Sequence, residues 1–500
     1  MEKRIFVNSF EKNFIFPAYV SGIIGFTEIV GEPLSCYLRW FWMIAIAIAA
    51  ITKFLKLNLS CRFEIVLKAL MNLIIIGFLT LVLPDWMYPN VIKAVLTTLA
   101  LKRITSDAYF FVSDPSGPYG VGIKDVIIKG KTTPMCSIVY PIEKEEYLNN
   151  VESSSRTLIY NMDGEDEIKC LLKLVPLAKQ VYKSDALDKM PTNATFLDLV
   201  FRDSYLYRIR AIVDGNLHKD FKSGVKKLTP VIISHGYAGR RAQHLVLASF
   251  LASYGCIVYT LNHTGGSATV SRDYNQDPLK VQYPIIYDFD TKQDANGNKY
   301  DQEEFDLKVV KDRIVDFEVL LDYIKNESMK EFEHIDASKL AAFGHSLGGM
   351  TILEFSKLYK KDVKACICFD PYLSARHKDI NKGEEYFITQ PLLFMNTVLF
   401  NDAPILDCYD HTKTRDKLFE DTMKKNGNQG YNIMVENSGH SSQSDDAMLK
   451  PVLRSKMNAA GTGEAVGEKY LEFINTSLAF LEKNKLLPVE FPKGLSPHIS

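Results

Sequence analysis

The hydrophobic positions divide this chain into two regions. Up to about residue 103 they gather in long runs. Trp40–Thr52 (WFWMIAIAIAAIT) and Ala69–Leu83 (ALMNLIIIGFLTLVL) carry no charged side chain. Phe14–Thr27 is a weaker third run, and Val91–Leu101 a fourth, interrupted by Lys93. The uncharged runs are somewhat shorter than the ~20 residues that span a bilayer. Lys53, Lys56 and Lys68 are placed to snorkel, and Trp40, Trp42 and Trp86 suit the membrane interface. Apolar runs packed this closely predict an N-terminal hydrophobic, transmembrane helical region over residues 1–105. A buried helical bundle, or a cleaved signal peptide for the first run, is the alternative. Basic residues at the N-terminus, between the runs (Lys53, Lys56, Arg62) and at the exit (Lys102, Arg103) do not choose a topology.

Over residues 106–500 the pattern changes to short apolar strands alternating with amphipathic helices. VIIS (231–234), CIVYTL (256–261), LAAF (340–343), KACICF (364–369), PLLFMN (391–396) and NIMV (432–435) predict strands. Helices are predicted over 242–254 and 349–359. Leu307, Val310, Ile314, Phe317, Leu321 and Ile324 recur at spacings of three and four, which predicts one buried helical face. Unalternating apolar strands separated by helices give an α/β fold, a mostly parallel sheet with helices on both faces. The polar stretch 262–304 reads as a long surface insertion.

Composition changes this picture little. With 47% hydrophobic and 24% charged residues the chain can bury a large core, and a net charge of −1 excludes the electrostatic footprint of a nucleic-acid binder. The eight cysteines form no CxxC pair, which argues against a structural zinc or a disulfide scaffold. Cys366 and Cys368, two apart on a strand, read as small buried residues. Sequons at Asn193, Asn262, Asn326 and Asn475 matter only if the large region faces a lumen or the outside.

The candidate chemistry centres on GHSLGG (344–349). Ser346 lies between a strand and a helix inside G-x-S-x-G, where a sharp turn exposes the hydroxyl and the flanking glycines avoid clashes. A serine hydroxyl needs a base, and the base an orienting acid, in the order Ser, acid, His. Of the four histidines after Ser346, His440 follows a strand in a loop of small residues (ENSGHSS) and is the expected base. His377 and His411 stand in charged segments and read as solvated; His498 is in the tail. Asp370, at the end of the first strand after the nucleophile, is the expected acid, with Asp402 second. The oxyanion donors are expected to be the backbone N–H groups of Leu347 and of Tyr237 in SHGYAG (234–239). His235 reads as a structural residue of that turn.

Further motifs give a resemblance. GPYGVGIKD (117–125), SIVYPIE (137–143), SHGYAGRRAQH (234–244), LASYGCIVYTLNHTGGSA (251–268), GHSLGG, CFDPYL, QPLLFMNT (390–397) and TSLAFLEK (476–483) resemble the plasma and intracellular type II platelet-activating-factor acetylhydrolases, calcium-independent phospholipases A2 of the α/β-hydrolase superfamily. The similarity runs from about Gly117 to Lys483, and CFDPYL favours Asp370 over Asp402. NHTGGSA departs from the pattern, with Asn262 and Thr264 where the family has Glu and Arg, so a local polar network is expected to differ. Ile168–Tyr182, apolar and basic, stands where relatives carry an interface-binding helix; it touches lipid or packs on the core. The resemblance implies hydrolysis of the sn-2 acetyl, short or oxidised acyl ester of phospholipids, without metal or other cofactor; the N-terminal apolar region is not part of the typical plasma enzyme and is expected to tether the catalytic region to a membrane. Rival readings are a carboxylesterase or neutral-lipid lipase with the same triad, and an inactive membrane scaffold.

Overall fold

The structure, a computed structural model, describes residues 114–157, 208–275, 301–327, 332–382, 386–401, 409–445 and 463–499, with scattered positions over 281–299 and Leu406. The N-terminal apolar runs, Ile168–Tyr182 and Asp402 lie outside the described residues. Among the described residues no helix is long and apolar enough to cross a membrane.

Among the described residues, ten strands form one sheet. They are β1 (Gly120–Ile127), β2 (Met135–Ile142), β3 (Ser155–Thr157), β4 (Arg208–Val213), β5 (Thr229–Ser234), β6 (Cys256–Leu261), β7 (Ala341–His345), β8 (Ala365–Phe369), β9 (Leu392–Thr397) and β10 (Gly430–Val435). The spatial order is β10-β9-β8-β7-β5-β6-β2-β1-β4-β3. From β6 to β10 every neighbouring pair is parallel; β2 runs antiparallel to both β1 and β6. This is an α/β-hydrolase-like fold. Its central strands are continuous apolar runs because both faces are covered: every residue of β5, β6, β7, β8 and β9 is buried.

Five helices matter for the site: α1 (Leu245–Ser253), α2 (Gln302–Asp322), α3 (Leu347–Leu358), α4 (His411–Asn426) and α5 (Gly463–Lys483). Helix α2 starts where Asp301 accepts the Glu304 N–H at 3.0 Å, a side-chain cap for an otherwise unpaired donor. Its predicted face is the one it buries, through Val310, Ile314, Phe317 and Leu321. Cys366 and Cys368 are both buried in β8, and burial pushes their thiols up.

Two expectations are corrected. The first part of the polar stretch 262–304 is not a surface insertion. Asn262, His263, Thr264, Ser267, Thr269 and Ser271 are all buried, because their polar atoms find partners inside: His263 and Thr264 on Asp316, Ser267 on Arg313, and Ser271 on the His263 carbonyl. His411 is not solvated. It is buried at the start of α4, 2.9 Å from the Tyr409 hydroxyl, and burial with the nearby Arg415 charge lowers its pKa to about 3.

Candidate active site

Parallel strands present their C-terminal ends at one edge of the sheet, and the chain reverses its winding direction between β5 and β7. The crevice at such a switch point is where open α/β sheets bind ligands. The residues singled out from the sequence come to that edge.

Ser346 follows β7 directly and caps α3 with φ 56 and ψ −123. A residue with a Cβ is strained there. The turn is pinned on both sides: the Ser346 N–H donates to the Phe369 carbonyl at 2.9 Å, and the Ser346 carbonyl accepts from the N–H groups of Gly349 and Tyr372, each at 2.9 Å. The flanking glycines are obligatory for close approach. A Cβ on Gly344 would lie 2.1 Å from the Gly348 carbonyl oxygen, and one on Gly348 2.2 Å from that of Ser234. Ser346 itself stays partly open to solvent between fully buried neighbours.

Asp370 follows β8 and is 1% exposed. Its carboxylate accepts the Thr397 N–H and the Thr397 hydroxyl, both at 2.7 Å, and lies 3.1 Å from His440 Nδ1. Burial raises the Asp370 pKa, and the Thr397 hydrogen bonds and the Arg415 charge oppose that rise. Burial also lowers the pKa of His440, to about 3, so the imidazole is neutral at pH 7. With Nδ1 engaged by Asp370, Nε2 is its basic nitrogen.

The His440 ring lies between two others. Phe400 stacks on one side with centroids 3.8 Å apart and planes at 11°, and His345, the neighbour of Ser346, lies at 4.3 Å. His345 Nε2 is also 3.1 Å from the His440 carbonyl oxygen. The loop is tied down behind the histidine. Gln443 donates to the Met395 carbonyl at 2.8 Å, and Asp445 accepts the Val246 N–H at the start of α1 and the Tyr470 hydroxyl from α5. A carboxylate at a helix N-terminus is favourable.

The turn after β5 abuts the serine: a Cβ on Gly236 would lie 3.3 Å from Ser346 Cβ. Tyr237 follows it, its ring against Phe305, and Leu347 is the first residue of α3. His235 is buried, with Nδ1 2.7 Å from the Gly236 carbonyl, a structural position as the sequence suggested. His498 stands apart, paired with Glu472. The sequence reading missed Thr397, Phe400 and Arg415, none of which carries a spacing signal relative to Ser346.

Residues 105–497 match the family model described as "Platelet-activating factor acetylhydrolase, isoform II". The chain belongs to that family. It is a carboxylic ester hydrolase. The platelet-activating factor acetylhydrolase of Cavia porcellus is 22% identical over 437 residues, covering 81% of this chain and 87% of the relative. That of Canis lupus familiaris is 25% identical over 217 residues, covering 40% and 48%. Among solved structures, a ferulic acid esterase from Streptomyces cinnamoneus aligns with a TM-score of 0.46 at 15% identity, covering 78% of this chain and 96% of that one. A dienelactone hydrolase from Anabaena variabilis aligns with a TM-score of 0.32 at 10% identity, covering 69% and 100%.

Proposed function

We propose that this acetylhydrolase-family member cleaves the sn-2 acetyl, short or oxidised acyl ester of phospholipids through Ser346, His440 and Asp370. The observation that carries the reading is the convergence at one sheet edge. A strained, partly open serine abuts the turn after β5, and a neutral histidine held by a buried carboxylate lies beside the serine's own neighbour, with ring centroids 4.3 Å apart. The name shared by the Cavia and Canis relatives supplies the acetyl ester.

In this mechanism His440 Nε2 takes the Ser346 hydroxyl proton as Oγ attacks the ester carbonyl. Asp370 holds the imidazole by its Nδ1–H and stabilises the imidazolium that forms. The tetrahedral oxyanion is met by the N–H groups of Leu347 and Tyr237. His440 then gives its proton to the departing lysophospholipid oxygen, leaving acyl-Ser346. Water, deprotonated by the same nitrogen, releases the acid. We propose further that the apolar runs of residues 1–105 hold the enzyme at a membrane. The full chain is then expected to stay with membranes through alkaline carbonate extraction; its release into the supernatant would refute the tether.

The testing experiment is a rate series on phosphatidylcholines whose sn-2 chain lengthens from acetyl to palmitoyl, with a triglyceride alongside and Ser346→Ala as blank. A steep fall with chain length, and a dead blank, is expected. Equal rates on long chains or triglyceride would move the enzyme to a general lipase. An active blank would overturn the nucleophile.

A further inference from the structure

Beneath the turn after β5 lies a second cluster of the same residue types. Ser234 Oγ is 3.0 Å from His263 Nε2, and His263 Nδ1 is 3.1 Å from Asp316 Oδ2. All three residues are fully buried, so no ester reaches this serine. Asp316 also accepts the Thr264 N–H at 2.9 Å, the Thr264 hydroxyl at 2.7 Å and the Thr132 hydroxyl at 2.8 Å. The departure from the family pattern at NHTGGSA is thus filled by a closed hydrogen-bonded network. Its role is anchorage: it fixes the end of β5, the segment 262–271 and helix α2 relative to one another.

Arg313 extends from that anchored helix, one turn before Asp316, and is fully buried. Its Nη1 donates to the His235 carbonyl at 2.6 Å and its Nη2 to the Gly236 carbonyl at 3.0 Å. Its Nε donates to Ser267 Oγ at 2.8 Å, and Nη2 reaches the Ser267 carbonyl at 3.3 Å. A buried guanidinium spent on backbone carbonyls needs a reason, since burying a charge is costly. Peptide geometry supplies one. In a planar trans peptide the C=O and the next residue's N–H point in opposite directions. The Gly236 carbonyl and the Tyr237 N–H share one peptide plane. Gripping that carbonyl from below turns the N–H away from Arg313. Ser346 borders the same turn: a Cβ on Gly236 would lie 3.3 Å from Ser346 Cβ.

We propose that Arg313 is a positioning residue for ester hydrolysis, which by holding the His235 and Gly236 carbonyls aims the Tyr237 N–H at the oxyanion. This rests on the triad and oxyanion reading above. Arginine suits the task because its planar fork fixes two acceptors at once, which a lysine ammonium does not. The grip costs nothing at the moment of reaction, because the donor is already oriented.

The test uses the full chain with Arg313→Lys, which keeps the charge beside Asp316, and the gentler Ser267→Ala, which removes the Nε acceptor and keeps the arginine. Four quantities are measured: kcat and KM on an acetyl ester, the Ki of a trifluoromethyl ketone whose serine adduct carries an oxyanion, and inhibition by a lysophospholipid. For Arg313→Lys, kcat is expected to fall about tenfold to a hundredfold, with KM within about threefold of the parent. The ketone Ki should rise by the factor lost in kcat/KM, and lysophospholipid inhibition should not move. Ser267→Ala should show the same pattern at about threefold to tenfold. Parental kcat in a folded Arg313→Lys protein, or equal weakening of ketone and lysophospholipid, would overturn the proposal. If Arg313→Lys does not fold, parental kcat and ketone Ki in Ser267→Ala overturn it alone. Activity surviving in Ser346→Ala would instead sink the triad reading, so the two failures are distinguishable.

Discussion

Replacing Ser346 with glycine is expected to stabilise the fold while abolishing hydrolysis. At φ 56 and ψ −123 the serine Cβ occupies backbone space that suits glycine, and a residue held in such a region costs on the order of 1–3 kcal/mol. Glycine removes that strain. It also gives the unfolded chain more freedom, which opposes the gain by about 0.5–1 kcal/mol. The difference leaves a net stabilisation of roughly 0–2.5 kcal/mol, centred near 1 kcal/mol. Ser346→Ala is the control. It keeps Cβ and therefore the strain, and it loses the same hydroxyl, so the glycine-minus-alanine difference isolates the backbone contribution. In a chain this large a kcal/mol moves Tm by only about 1–2 °C. Chemical denaturation with a shared slope is therefore the better assay. The glycine variant should have the highest midpoint of the three proteins. A midpoint at or below that of Ser346→Ala would refute the idea that strain is stored at the nucleophile turn.

Three further outcomes follow from the site. Gly344→Ala places a Cβ 2.1 Å from the Gly348 carbonyl oxygen, a clash with backbone that cannot move aside; a loss of about 3 kcal/mol is expected, and a parental denaturation midpoint would contradict it. Thr397→Val removes the hydroxyl that donates to Asp370 at 2.7 Å, so the carboxylate holds His440 and stabilises the imidazolium less well; kcat should fall roughly tenfold, since a hydrogen bond to a charged group is worth about 1.5–3 kcal/mol, and a parental kcat would count against the assigned acid. The base must be neutral to accept a proton, and burial lowers the His440 pKa from its ordinary value of 6.5; activity is lost as pH falls through that lowered value, so the parental acid limb should lie below pH 6.5, and a limb at 7 or above would show that burial does not govern it.

Much of the sheet was legible because its central strands are buried on both faces. Cys256–Leu261 forms a strand over the residues that its apolar run predicts. The edge strand β10 starts two residues before the predicted NIMV, because its half-exposed residues leave no continuous apolar run. Helix α3 begins earlier than predicted, at Leu347, because Gly348 and Gly349 are weak helix formers that serve close packing instead. The segment 262–271 was misread because polar composition looks like surface, and only the folded structure brings Asp316 and Arg313 to it. Asp370 was legible from its place at a strand end. Its support was not: Thr397 reaches it from the neighbouring strand β9, a lateral relation with no fixed sequence spacing. Phe400 and Arg313 were equally silent, the first in an apolar run and the second inside a charged helix.

The buried Ser234, His263 and Asp316 have a consequence for counting active serines. A search by side-chain template would return them beside Ser346, His440 and Asp370, since both sets hold the same residue types. What separates them is reach and backbone: Ser234 closes a regular parallel strand in the core, while Ser346 stands on a strained turn with an open side. Titration with a serine-directed phosphonate should therefore end at a single equivalent per chain, carried by the peptide that contains Ser346.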